Sequence, residues 1–162
     1  MADSDTDGLS HLDSEGQLKM VDIHQKRKSY RTASAIAEVH FPRQVFDTIV
    51  QTNGVLKKGS IFEVSRIAGI MACKRTAEII PLCHPISIES CDIHFTRDSS
   101  RHMIAIESHV SLHGKTGVEM EALTAVSSAA LCLYDMCKAL SHDIQIQSIR
   151  LAAKTGGKSD FQ

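Results

Sequence analysis

Apolar side chains alternate from Ala33 through Ala35, Ala37 and Val39 to Phe41, the period-two pattern of a half-buried strand. Pro42 suits the opening of a helix. On that helix Val45, Phe46, Ile49 and Val50 share a face, and Asn53-Gly54 marks its end. Lys57-Lys58-Gly59 reads as a basic turn. Ser60, with Glu63 three residues on, forms a capping box for a second helix, whose stripe Ile61, Val64, Ile67, Ala68 and Met71 is expected to be buried. Lys74 and Arg75 suit its negative end, and it must stop before Pro81. Pro81-Leu82-Cys83-His84-Pro85 is then a short segment stiffened at both ends. Ile86 and Ile88 alternate, and the phase slips by one to Cys91, Ile93 and Phe95, which predicts a strand with a bulge. After a polar turn over 97–102, Ile104, Ile106, Val110 and Leu112 predict the returning strand.

The longest element is a helix within Gly114–Ala139, opened by a capping box of Thr116 and Glu119. Leu123, Val126, Ala130, Leu133 and Cys137 fall on its core side. Glu121, Thr124, Ser128, Asp135 and Lys138 fall together on another side. One reading of that second side is a solvated face with an Asp135–Lys138 surface pair. The other starts from the small size of Ala122, Ala125, Ser127, Ser128, Ala129 and Ala130, which lets another backbone come close and crowds a carboxylate and an amine into acid–base work. Ile144, Ile146, Ile149 and Leu151 predict a last strand before a tail rich in Lys and Gly.

Strand, two helices, two strands, helix, strand is a split β-α-β order. It predicts an α+β chain, an antiparallel sheet with helices on one face. Residues 1–19, rich in Asp and Ser, read as a mobile leader, and 20–162 as a single domain. The uncovered sheet face suggests an oligomer.

The charge balance changes the picture of partners. A formal charge of −1, no Trp and 4% aromatics argue against a nucleic-acid surface. No apolar run spans a membrane and no signal-peptide core is present. Five cysteines without C-x-x-C spacing fit reduced thiols in a cytoplasmic setting. His109 and His113 share a strand face, with no third metal ligand in view.

Gly114-Lys115-Thr116 and Gly157-Lys158-Ser159 imitate a phosphate loop, but the glycine required five positions earlier is His109 or Ala152. Each remains a basic turn, the first before a helix N-terminus that suits an anion. Arg31, Lys58, Lys74, Lys138, Lys154 and Lys158 supply cations in an otherwise balanced chain. Converged, they fit a small polyanionic ligand better than a polymer.

The runs KGSIFEVSRIAGIMACKRTAEIIPLCHPISIES and GKTGVEMEALTAVSSAALCLYDMCKA, with MVDI at Met20–Ile23 and a KTGGKS tail, resemble the cyclic pyranopterin monophosphate synthase family of molybdenum cofactor biosynthesis. The resemblance covers nearly the whole chain. It implies a ferredoxin-like fold and a homohexamer, a trimer of dimers with active sites at subunit interfaces. It also implies a lyase reaction on a cyclised dihydroguanosine triphosphate, which a partner radical enzyme makes from GTP. Carried over by motif, Asp135, Lys138 and Lys58 are catalytic, and Leu82, Cys83, His84, Met120 and Glu121 bind substrate. Glu119, Arg31, Lys74 and Lys154 are secondary candidates. Ser60 stands where an Asp is common, Ser128 where a Val is, and the tail reads KSDF without the usual Gly.

Chemically, Lys138 beside other cations is expected to have a lowered pKa and to exchange protons, with Asp135 relaying and Lys58 holding phosphates. Mg²⁺ is a compatible companion of a triphosphate, and no dedicated metal cage or cofactor site is visible. A non-catalytic nucleotide-binding module on the same fold is the main rival. An RNA-binding sheet is a weaker one.

Overall fold

The computed structural model describes residues 15–161. Most of the leader assigned to 1–19 lies outside the described residues, and 15–19 are exposed. The elements are β1 (Ser29–His40), α1 (Arg43–Gln51), β2 (Val55–Leu56), β3 (Gly59–Ser60), α2 (Ile61–Cys73), α3 (Thr76–Ile79), β4 (Ser90–Asp98), β5 (Met103–Gly114), α4 (Glu119–Cys137) and β6 (Gln145–Thr155). The main sheet runs β4-β5-β1-β6, and each neighbouring pair is antiparallel. With α2 and α4 packed on one face, this is the α+β, ferredoxin-like, split β-α-β arrangement.

Small side chains decide how closely the layers approach. Ala33, Ala35 and Ala37 of β1 and Ala122, Ala125, Ala129 and Ala130 of α4 are all buried where α4 packs on β1 and α2. Ser108 of β5 ties the layers by donating its hydroxyl to the Ala122 carbonyl at 2.8 Å. Val126, Ala130, Leu133 and Cys137 are core as expected, while Leu123 is only partly buried.

Three expectations are overturned. The stripe foreseen for α2 is mostly outside: Val64, Ile67 and Met71 are 40%, 57% and 48% exposed, whereas Ile61, Ser65, Gly69 and Cys73 are buried. Size explains the inversion, because α2 presses its small residues against α4. A Cβ at Gly69 would stand 2.8 Å from the Ala125 carbonyl oxygen and closer still to Ile93. The bulge is not in β4, which pairs with β5 without a break, since Ile86 and Ile88 precede the strand. The register shifts lie between β1 and β6, where Ser148 has φ 54°. As expected, the second helix stops before Pro81, at Cys73 with Lys74 as its C-cap, and a separate turn, α3, follows. Finally, α4 starts after Val118 with no side-chain cap, because the Glu119 carboxylate is bound by Lys154 at 3.1 Å. The Ser60 cap does form, its hydroxyl accepting from the Glu63 amide at 3.4 Å.

Replacing Gly69 by Ala should cost about 1–3 kcal/mol of stability by overpacking, read as a lower denaturation midpoint in urea. An unchanged midpoint would show that the α2–α4 spacing is slack.

Candidate active site

The first turn of α4 and the 81–86 segment enclose a cavity of about 480 Å³. All five predicted substrate-binding residues, Leu82, Cys83, His84, Met120 and Glu121, line it. Pro81 and Pro85 limit the backbone here, and the Cys83 amide turns back to the Ile80 carbonyl at 3.1 Å. His84 Nε2 lies 2.8 Å from the Val21 carbonyl oxygen. A carbonyl only accepts, so Nε2 carries a proton and the other ring nitrogen is left for chemistry.

Glu121 is 4% exposed, although the sequence places it on the polar side of the helix. Burial pushes its carboxyl up to about 7, against a backbone hydrogen bond that lowers it and the nearby Glu119 that raises it further. Burial, then Glu121, raise the Cys83 thiol, so it is a poor nucleophile. A second cavity of about 370 Å³ adjoins the first and is lined by Arg31, Lys154 and Lys158, with Glu119 shared between the two. Arg31 Nε donates to the Gly114 carbonyl at 3.1 Å.

At the other end of α4, residues 77 positions apart meet. Lys138 Nζ stands 2.7 Å from one Asp135 carboxylate oxygen, and Lys58 Nζ is 3.4 Å from the other. Lys58, carried on the β2–β3 turn, also donates to the Asp135 carbonyl at 3.1 Å. All three side chains are about half exposed, at 47% to 54%. Lys138, then Lys58, hold the Asp135 carboxyl below its usual range. The expected lowering of the Lys138 pKa is reversed: Asp135 raises it. A carboxylate in hydrogen-bond contact outweighs the desolvation that opposes it. The cluster therefore presents two secured ammonium groups, suited to an oxyanion or to donating a proton.

Within one chain the two groups of residues stay apart. From Glu121 to Asp135 the helix advances about 21 Å. Lys74, at the end of α2, lines neither cavity. His109 and His113 pair instead with Glu107 and Glu89. Sequence reasoning missed Val21 and Lys26 as cavity residues. Their signal was the run from Met20 onward, which has no periodicity to give it a place.

A histidine and a near-neutral carboxylic acid at one end of a helix, with ammonium groups at the other, are an arrangement suited to acid–base chemistry on an anionic small molecule. The chain belongs to the MoaC family, whose sequence profile matches residues 20–157. It is 50% identical over 153 residues to the cyclic pyranopterin monophosphate synthase of Heliobacterium modesticaldum, covering 94% of this chain and 95% of that one. The synthase of Pelotomaculum thermopropionicum is 47% identical over 152 residues, 94% of this chain and 88% of the relative. Molybdenum cofactor biosynthesis protein 1 of Drosophila melanogaster is 48% identical over 154 residues, which are 95% of this chain and 27% of that longer protein.

A carboxyl raised from 4.5 to about 7 by folding binds more protons in the native state, so its contribution weakens stability as pH rises through that window. The full penalty, about 3 kcal/mol, is present above pH 7. Glu121→Gln should therefore flatten the loss of stability between pH 4.5 and 7 when denaturation is followed across pH. An identical pH dependence in both proteins would show that folding leaves the Glu121 carboxyl unshifted.

Proposed function

We propose that this chain is a lyase of molybdenum cofactor biosynthesis that converts the cyclised dihydroguanosine triphosphate to cyclic pyranopterin monophosphate and diphosphate. The observation that carries the reading is the meeting of Lys58, Asp135 and Lys138 from distant parts of the chain. Identity of about half the residues to the named synthases over nearly full length supports it.

The site is assembled between two copies, one giving the His84–Glu121 cavity and the other the Lys58–Asp135–Lys138 cluster. The separation of the two along α4 supports this, as do the exposed Val64, Ile67, Met71, Ile79 and Leu131. Apolar surface of that kind is covered in oligomers, here a homohexamer of three dimers. Glu121, titrating near neutral pH, and His84 exchange protons as one ring opens and the pterin ring closes. Lys58 and Lys138 stabilise negative charge at the reacting phosphate as its bond to diphosphate breaks, and Asp135 orients both. No resident cofactor is assigned, and any Mg²⁺ arrives with the triphosphate. A partner radical enzyme supplies the substrate from GTP. Five free thiols fit the cytoplasm. Among the described residues no helix is long and apolar enough to cross a membrane. Glu38, Asp92 and Glu107 on the uncovered sheet face disfavour RNA there.

Purified protein should release diphosphate from the cyclised nucleotide, whereas a module that only binds would not. Lys138→Ala and His84→Ala should each lower turnover by about 10²-fold or more. Co-expressed, the two variants should regain about a quarter of wild-type activity, since random pairing leaves that share of sites with both halves intact. No regain would place the whole site in one copy.

A further inference from the structure

Two cysteines that line neither cavity meet where α2 crosses β4. One stripe of α2 runs along β4 in the opposite direction. Phe62 packs on Phe95 with ring centroids 5.3 Å apart, Arg66 Nη1 donates to the Ile93 carbonyl, and Gly69 rests against the Ile93 side chain. Cys73 lies one turn beyond Gly69 on that stripe. Cys91 lies two residues before Ile93, on the same face of the strand. Continuing the contact brings Cys73 to Cys91, and the two thiols are hydrogen-bonded to each other. Both are free.

The pair is unequal in the way oxidation chemistry requires. Cys73 is 1% exposed and belongs to the core, whereas Cys91 is partly exposed at the start of β4. Their shared hydrogen bond, then burial, push the Cys73 thiol up. The same bond holds the Cys91 thiol below its usual range, against burial and Asp92, and the Lys74 ammonium adds to the lowering. Cys91 is therefore the sulfur that reacts first, and Cys73 is the one beside it that resolves. Between them, residues 74–90 hold α3 and the Leu82–Ile86 wall of the first cavity. That stretch is anchored at its start by the Thr76 hydroxyl, which donates to the Cys73 carbonyl at 3.0 Å. Near its end the Glu89 amide donates to the Ser111 carbonyl at 3.1 Å.

We propose that Cys73 and Cys91 are a site of reversible oxidation, which hydrogen peroxide converts to an intrachain disulfide across the base of the 74–90 segment. The Cys91 thiolate attacks one peroxide oxygen, the O–O bond breaks, and the departing hydroxide takes a proton to become water. The Cys73 sulfur then loses its proton and attacks the resulting Cys91 sulfenic acid. Its S–O bond breaks, and a second water leaves as the S–S bond forms. Two thiols give up two electrons and two protons, and peroxide is reduced to two waters. The closed loop restrains the segment that carries Leu82, Cys83 and His84, and it removes open conformations from the unfolded chain.

Peptide mass mapping of the full chain, reduced, treated with hydrogen peroxide, alkylated and digested without reductant, tests this. The Cys73 and Cys91 peptides should emerge joined, lighter than their sum by two hydrogen atoms and separable with dithiothreitol, while Cys83, Cys132 and Cys137 are alkylated. The oxidised protein should melt at least about 5 °C higher than the reduced one. In Cys73→Ser the oxidation of Cys91 should stop at the sulfenic acid, captured by dimedone about tenfold faster than at Cys83. The mapping needs no variant, so a substitution that fails to fold leaves the test intact. Five alkylated thiols, a bridge between other cysteines, a bond between two chains, or Cys91 passing to the sulfinic acid without a bridge would each overturn the pair. A bridge that forms with no change in melting temperature would overturn the restraint on 74–90.

Discussion

The close approach of α4 to β1 and α2 is the constraint on which the rest of this structure depends. Alanines on both sides of the α4–β1 contact, and Gly69 at the α2–α4 contact, let backbones come nearly together. Core packing of that density transmits position and leaves little room for adjustment. It fixes α4 as a rod whose two ends carry chemistry. One end is sealed under the 81–86 segment, and the other opens beside the β2–β3 turn.

That difference in surroundings sorts two carboxylates on one helix into opposite states. Glu121 is largely buried, which favours its protonated form, while Asp135 sits in the open between two ammonium groups and stays ionised. Neither state follows from residue type. Each follows from where the rod ends relative to solvent and to cations. Glu119 adds a third case, neutralised by Lys154 and thereby removed from competition for a ligand's cations.

Much of the fold was legible because period-two alternation in β1 and β5 and the helical run of α4 are long and unbroken. The element order gave the split β-α-β topology, and the quoted motifs brought Leu82, Cys83, His84, Met120 and Glu121 to one cavity. α2 was misread for a physical reason: large apolar residues mark a core only if the neighbour is far enough away to hold them. With α4 so close, Ser65 and Gly69 face inward and Ile67 and Met71 face out. A phase slip was taken for a bulge before β4, whereas the spacing of Ile146 and Ile149, three residues apart, marked the real irregularity in β6. The Lys138 pKa was misjudged by counting cations without the partner three residues away. Lys26 was overlooked because its segment has no repeating pattern, and tertiary contacts alone place it.

The C-terminal described end of the chain pairs with Lys154 beside the second cavity, which has a practical side. An affinity handle or fluorescent fusion appended just past Phe161 would emerge beside the entrance and crowd incoming molecules. The 98–102 turn lies at the far end of β5, roughly 35 Å away along the strand. It is the better place for surface immobilisation or an inserted label.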